Sequence, residues 1–352
     1  MKLLASALIA FVVSILLLVV VRPLAVRLGF VDRPGGRKNH DGIVPVYGGL
    51  SKFSGVMVAS WAYGPFGAHG HVLLFASAFV VLLGLFDDRL DIPPRLRFIA
   101  QGCAAAALMY GTRFTLPDLG HLFGTAHGPV PLDVLSLPFT LLACVALINA
   151  FNMLDGLDGL AAGVALAAFL GVAGMGLLRP APVSLLIACC MVGALAAFLL
   201  FNMPERFNRA VRVFMGDAGS TLLGFVLAGV GLTLVQTDRA DVPPVLVLWL
   251  MPLPIFELFD STWRRLRAGH SITAADAGHF HHRLTRAGYS VRKVFYLYLA
   301  LSGAGAGIAV LALQWGAPEP LMAVAFVGAF VGWIAFVRRA VVVGAAAGGT
   351  TR

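Results

Sequence analysis

Residues 149–159 read Asn-Ala-Phe-Asn-Met-Leu-Asp-Gly-Leu-Asp-Gly, at the end of one hydrophobic run and directly before another. Two carboxylates and two amides stand where an apolar helix should be shedding polar groups. Ionisable side chains this close to hydrocarbon are costly, so they need a function. Asn152, Asp155 and Asp158 recur at intervals of three, and a continuing helix would fan them over about 120° of one surface. Gly156 and Gly159 leave the backbone open to a ligand. One Asp-Gly pair would be an ordinary turn. Two pairs, preceded by two Asn and framed by apolar runs, point to binding instead.

Four further clusters carry chemistry. Asp87-Asp88-Arg89-Leu90-Asp91 follows an apolar run; alone it reads as a charged helix end, but adjacent carboxylates repel, so a cation holds them together or one keeps its proton and acts as a base. Phe214-Met215-Gly216-Asp217-Ala218-Gly219-Ser220 precedes another run. Asp217 or Ser220 could be a plain N-cap, and the same geometry offers a helix N-terminus plus a carboxylate to a phosphate–metal complex. His279-Phe280-His281-His282-Arg283 lies in a basic stretch without a nearby cysteine, which favours phosphate contact over structural zinc. Arg37-Lys38-Asn39-His40, before Pro45 and Gly48-Gly49, reads either as a topological charge cluster or as phosphate recognition.

No Ser-His-Asp or Cys-His pattern accompanies these groups. Carboxylates alone would repel a phosphorylated ligand, but Mg²⁺ typically uses one or two protein carboxylates plus substrate phosphates. Phosphoryl transfer requires that positioning and charge neutralisation. The residues therefore point to a phosphotransferase.

The elements that must position them are membrane helices. The chain has 352 residues, 59% hydrophobic and 12% charged, against about 25% charged in soluble domains, and its mean hydropathy is +0.88. Apolar runs near 20 residues recur, each long enough to cross hydrocarbon. The expected fold is all-α and polytopic, with eleven spans near 3–21, 46–63, 71–86, 98–112, 136–151, 160–178, 182–202, 218–236, 243–262, 293–314 and 319–337. Residues 1–339 form a single transmembrane domain, followed by a short flexible tail at 340–352. The first run is too long for a signal-peptide core, so it counts as a span. Alternate loops separate by charge: one side holds only Lys2, Arg113, Arg179 and Arg239, and Lys52 lies within the second span. The positive-inside rule puts the other, basic side in the cytoplasm, with the N-terminus outside and the C-terminus inside. The net charge of +9 is thus mostly topogenic and argues for no nucleic-acid partner. Ten of the 17 acidic residues, including all the clusters above, share the basic side. The four cysteines lie in apolar runs and read as reduced packing residues.

A transporter would place its acids near mid-span and often show two related halves. Here no repeat is evident. Only Glu257 and Asp260 occur late within a span, close enough to Arg264 and Arg265 for plain local pairing.

The five clusters together resemble the polyprenyl-phosphate N-acetylhexosamine-1-phosphate transferases over roughly residues 22–293. The matching stretches are Asp32 to His40 with Pro45 and Gly48-Gly49, Gly84 to Ile92, Asn149 to Gly159, Phe214 to Leu222, and His279 to Leu284. The match is nearer to the branch using UDP-N-acetylglucosamine than to that of peptidoglycan synthesis, whose all-histidine run after a Pro is not reproduced. The resemblance implies transfer of a sugar 1-phosphate from a UDP-sugar to undecaprenyl phosphate, with release of UMP and dependence on Mg²⁺, for which Mn²⁺ can stand in. The product would start a lipid-linked cell-surface glycan such as O-antigen, at the cytoplasmic face of a bacterial inner membrane. It implies Asp217 as metal ligand, and Asp87 and Asp88 as base and second metal contact in an order left open. Asn152, Asp155 and Asp158 would face the nucleotide–sugar. His279, His281 and His282 would meet substrate phosphates, helped by Arg37, Lys38 and His40. Another UDP-N-acetylhexosamine or UDP-MurNAc-pentapeptide as donor, and a monomer or homodimer, remain open. One departure is Ala277 after Asp276, where this branch usually carries Arg, a bidentate phosphate partner.

Overall fold

In hydrocarbon a backbone must satisfy its own hydrogen bonds, so long apolar runs close into helices. A computed structural model of the chain describes residues 1–32, 43–63, 67–203, 212–236, 242–271 and 278–348. Arg37, Lys38, His40, Asp276 and Ala277 lie outside the described residues. Among the described residues, eight helices are long and apolar enough to cross a membrane: α1 (Lys2–Val20), α4 (Gly67–Leu90), α6 (Ser136–Leu154), α7 (Leu160–Leu178), α8 (Pro182–Asn202), α9 (Gly216–Gln236), α13 (Val291–Trp315) and α14 (Glu319–Gly348).

The other three expected spans are helical but less simple. α3 (Gly48–Ala62) has 15 residues, and α5 (Pro94–Thr112) carries Arg95, Arg97 and the buried Gln101. The run at 243–262 breaks into α10 (Pro244–Trp249) and α11 (Pro252–Arg267). Pro252 supplies no amide to continue the first helix, and it opens the second. Short pieces complete the chain: α2 (Arg22–Arg27), the antiparallel pair β1 (Val31–Asp32) and β2 (Val44–Pro45), and α12 (Phe280–Arg286).

α9 is the central helix, buried along almost its whole length against α3, α4 and α6. α1 and α14 stay at the periphery and present apolar side chains such as Leu4, Leu8, Leu321 and Val324 outward, as lipid-facing helices do. One hydrophobic core runs continuously from Ala10 to Ala340. α14 continues to Gly348, so the chain beyond residue 340 begins as helix. All four cysteines are free.

The site clusters collect at one end of this bundle. The C-terminal end of α4 meets the N-terminal end of α9, and the connection after α6 meets α12. At the opposite end the 113–135 loop is pinned by α14, where Glu319 accepts the His121 amide at 2.9 Å.

Candidate active site

α4 ends on the Asp87–Asp88 pair, and the two carboxylates turn to different partners. Asp88 accepts the backbone amides of Asp217 at 2.7 Å and Ala218 at 3.3 Å. It caps the start of α9, where free amides and the helix dipole favour an anion. Gly216 has φ 72°, and a Cβ there would come within 2.5 Å of both Asp88 Oδ2 and Val46 Cγ1. Only glycine fits that approach. Asp87 instead accepts the Ile92 amide at 2.9 Å and the Arg97 guanidinium at 2.9 Å.

Asp217 stands between these groups. Asn152 donates to its Oδ1 and also to Ser220 Oγ at 3.1 Å. Arg97 lies 3.9 Å from its Oδ2, and the Asp217 side chain keeps 32% exposure. Three acids thus meet one described cation at this junction, with Asp217 the open member.

The 155–159 connection departs from the helical expectation. α6 stops at Leu154, so Asp155 and Asp158 do not continue the face of Asn152. Gly159, at φ 73°, turns the chain into α7, and its amide donates to Asn202 Oδ1 at 2.7 Å. Asn202 in turn donates to the Val213 carbonyl at 2.7 Å, which ties this connection to the approach to α9. Asp158 points along the same seam. Both its oxygens lie 2.6 Å from Arg212, whose guanidinium rests 4.5 Å over Phe214. Asp158 therefore holds the loop to the protein. Asn149, in the opening motif, is a packing residue that donates to Gln101 at 2.7 Å.

Asp155 is half-buried, and its desolvation raises the carboxyl above the usual range, with Lys52 opposing that rise. Lys52 is fully buried in α3, with Nζ 3.7 Å from the Phe198 ring centre. By sequence this lysine lies within the second expected span, apart from the loop charges that set the topology. A single cation inside an apolar run was the available signal.

The histidine motif reaches the same connection from the other side. A Cβ on Gly156 would collide with His281 Nε2 and come within 3.1 Å of His282 Nε2. His279 and His281 are buried and stack at 5.6 Å between ring centres. Burial, with His281 and His279 adjoining, holds His282 down to about 4, so its ring is neutral at pH 7. Local pairing does describe Asp260, which accepts from Arg264 at 2.7 Å and Arg283 at 3.4 Å. It does not describe Glu257. That carboxylate faces His279 and the Phe280 amide, because the start of α12 packs directly on α11 at this point. Arg97 and Glu257 are the other site residues that sequence reasoning missed; both sit within charged stretches, where many pairings were equally plausible.

Among the described residues no three His, Cys, Asp or Glu converge as a metal cage. Mg²⁺ does not need one, since substrate phosphates and water complete its shell. Asp217 offers the hard, partly exposed oxygen that such a cation requires. Asp88 retains lone pairs beyond its two amide contacts.

A model of glycosyl transferase family 4 matches residues 71–235, which holds the Asp87–Asp88, 149–159 and 214–220 clusters. The undecaprenyl-phosphate alpha-N-acetylglucosaminyl 1-phosphate transferase of Yersinia pestis is 35% identical over 326 residues, covering 91% of this chain and 87% of that protein. The protein of the same name from Escherichia coli K12 is 34% identical over 322 residues with the same coverage. A probable undecaprenyl-phosphate N-acetylglucosaminyl 1-phosphate transferase of Bacillus subtilis is 33% identical, covering 83% of this chain and 81% of its own.

Proposed function

The chain belongs to glycosyl transferase family 4, and on that premise we propose that it transfers N-acetylglucosamine 1-phosphate from UDP-N-acetylglucosamine to undecaprenyl phosphate, releasing UMP. The observation that carries this reading is the meeting of Asp87, Asp88, Asp217 and Asn152 at the α4–α9 junction, beside a histidine cluster seated on Gly156. One region is rich in carboxylates and the other in imidazoles, which suits a metal-bound diphosphate lying across both.

In the reaction, an oxygen of the acceptor phosphate attacks the donor's β-phosphorus. The bond from that phosphorus to the bridging oxygen breaks, and UMP leaves with the oxygen. Mg²⁺, when bound, neutralises the diphosphate and the departing UMP. Asp217 would hold it, with Asp88 as second contact. Asn152 orients Asp217 by occupying one of its oxygens. Asp87 or Asp88 accepts any proton remaining on the acceptor phosphate, and Arg97, 2.9 Å from Asp87, holds that carboxylate in place. Asp155 and the histidines border the donor. Direct attack is favoured because no side chain here is an activated nucleophile.

The orientation follows from charge. With the eleven spans expected from the sequence, the positive-inside rule would put the N-terminus outside and the site in the cytoplasm, where nucleotide sugars are found. The acceptor enters from the lipid of a bacterial inner membrane. The product would begin a lipid-linked surface glycan.

The test is a donor panel with purified protein, undecaprenyl phosphate and Mg²⁺, scored for UMP. UDP-N-acetylglucosamine should give the highest kcat/KM and require the lipid. Absence of UMP with every donor overturns the reaction, and preference for another UDP-sugar overturns the sugar assignment.

A further inference from the structure

Glu257 is a carboxylate with 1% exposure in α11, and nothing in the proposed reaction uses it. Its Oε1 accepts the Phe280 amide at 2.7 Å and faces His279 Nδ1 at 3.0 Å. Phe280 opens α12, with His279 as the preceding cap residue, so both contacts fix where that helix starts. Its Oε2 has no hydrogen-bond partner among the described residues and lies 3.8 Å from His281 Nδ1. A buried carboxylate without compensation is expensive. Here the compensation is the imidazole pair and the first free amide of a helix.

His281 is the receiving end of this arrangement. It has 0% exposure, and neither ring nitrogen has a hydrogen-bond partner among the described residues. Its Nε2 lies against Gly156, the one residue of the 155–159 connection whose missing side chain leaves room for it. A buried, unsatisfied imidazole aimed at a ligand-bordering backbone marks an interaction completed on binding.

We infer that Glu257 is a positioning residue, which anchors the start of α12 so that His281 and His282 stand over Gly156 and receive the donor's diphosphate. This rests on the proposed reaction for the identity of the donor. The chemistry resembles an outer-shell carboxylate that fixes the orientation of a histidine, where loss costs about 10- to 100-fold in affinity or activity. Because Glu257 acts on the donor side, it should leave the acceptor's site alone.

The experiment compares full-length wild type with Glu257→Ala, Glu257→Gln, His281→Ala and the Glu257→Ala/His281→Ala double variant in detergent. KM is measured for UDP-N-acetylglucosamine and undecaprenyl phosphate separately. Glu257→Ala should raise the donor KM about 10-fold or more, with the acceptor KM within about twofold. Glu257→Gln keeps an acceptor oxygen for the Phe280 amide and should raise the donor KM only about two- to threefold. The double variant should lie within about twofold of His281→Ala, since the two residues act through one contact. Unchanged donor KM, equal rises for both substrates, or fully multiplicative effects overturn the assignment. If Glu257→Ala does not fold, Glu257→Gln decides alone: a rise confined to the donor supports the role, and no rise or a shared one overturns it. Failure of the reaction itself would show as no UMP from wild type. Affinity of the same variants for UDP, by titration calorimetry, would then still decide the role of Glu257.

Discussion

The two regions flanking the 155–159 connection are built on opposite charge plans. At the α4–α9 junction three carboxylates gather with Arg97 beside two of them; Asp87 is tied down by that arginine and a backbone amide, Asp88 by two backbone amides, and Asp217 stays open. At the start of α12 the ratio reverses: Glu257 faces two of three clustered imidazoles, and the free hydrogen-bonding capacity lies on His281. The first region has more negative than positive charge, and in the second both His281 ring nitrogens lack a hydrogen-bond partner among the described residues. A cation bound to a diphosphate answers both. This difference teaches more than either cluster alone, because each taken separately has a plain structural explanation.

Removing the cation should have the largest effect on this contrast. Chelation with EDTA should abolish UMP release, and added Mg²⁺ should restore it; activity surviving chelation would mean that Arg97 alone compensates the three acids. Asp217→Asn comes next. Asparagine keeps an oxygen for Asn152, and the contacts to Asp88 use main-chain amides, so the protein should stay folded. Activity should nevertheless fall about 10²- to 10³-fold, the usual scale for losing one preorganised charge-stabilising group. A smaller drop, with unchanged Mg²⁺ dependence, would move the cation to another carboxylate.

The seam between the two regions predicts a smaller effect, on stability. Arg212 and Asp158 pair through both carboxylate oxygens, with side chains 17% and 16% exposed. Arg212→Ala leaves Asp158 without its bidentate partner and should cost about 1–3 kcal/mol, read as a lower Tm in detergent. Unchanged Tm would mean that the pair does not hold the connection, and would favour a substrate role for Asp158.

The Arg212–Asp158 pair shows where sequence reasoning reaches its limit. Periodicity and charge located a helix at every expected span, because hydrocarbon permits little else. The clusters were legible because Gly, Asp and His are conspicuous within apolar runs. Their partners were not. Extending α6 through Asp158 by spacing missed the stop at Leu154 and the capture of the Gly159 amide by Asn202, more than forty residues away. Glu257 had arginines nearby in sequence and histidines nearby in space, and tertiary packing chose the histidines. Lys52 read only as a cation within the second span until α8 placed Phe198 beneath it. Local pattern specifies elements, whereas ion pairing within a bundle is decided between elements.

The smallest expected effect separates the two regions by pH. His282 is held down to about 4 by burial and by its histidine neighbours, whereas an unfolded chain carries histidine near 6.5. Between those values the unfolded state binds the extra proton, so stability falls as pH drops from about 6.5 towards 4 and is unaffected above it. His282→Asn should flatten that part of the Tm–pH curve, with little change at pH 8. Activity of the wild type between pH 7 and 8 should show no limb assignable to His282, because its ring is already neutral. If His282→Asn leaves the acid slope of the Tm–pH curve intact, the ring is solvated rather than enclosed against Gly156. The enclosure of the imidazole region would then rest on His279 and His281 alone.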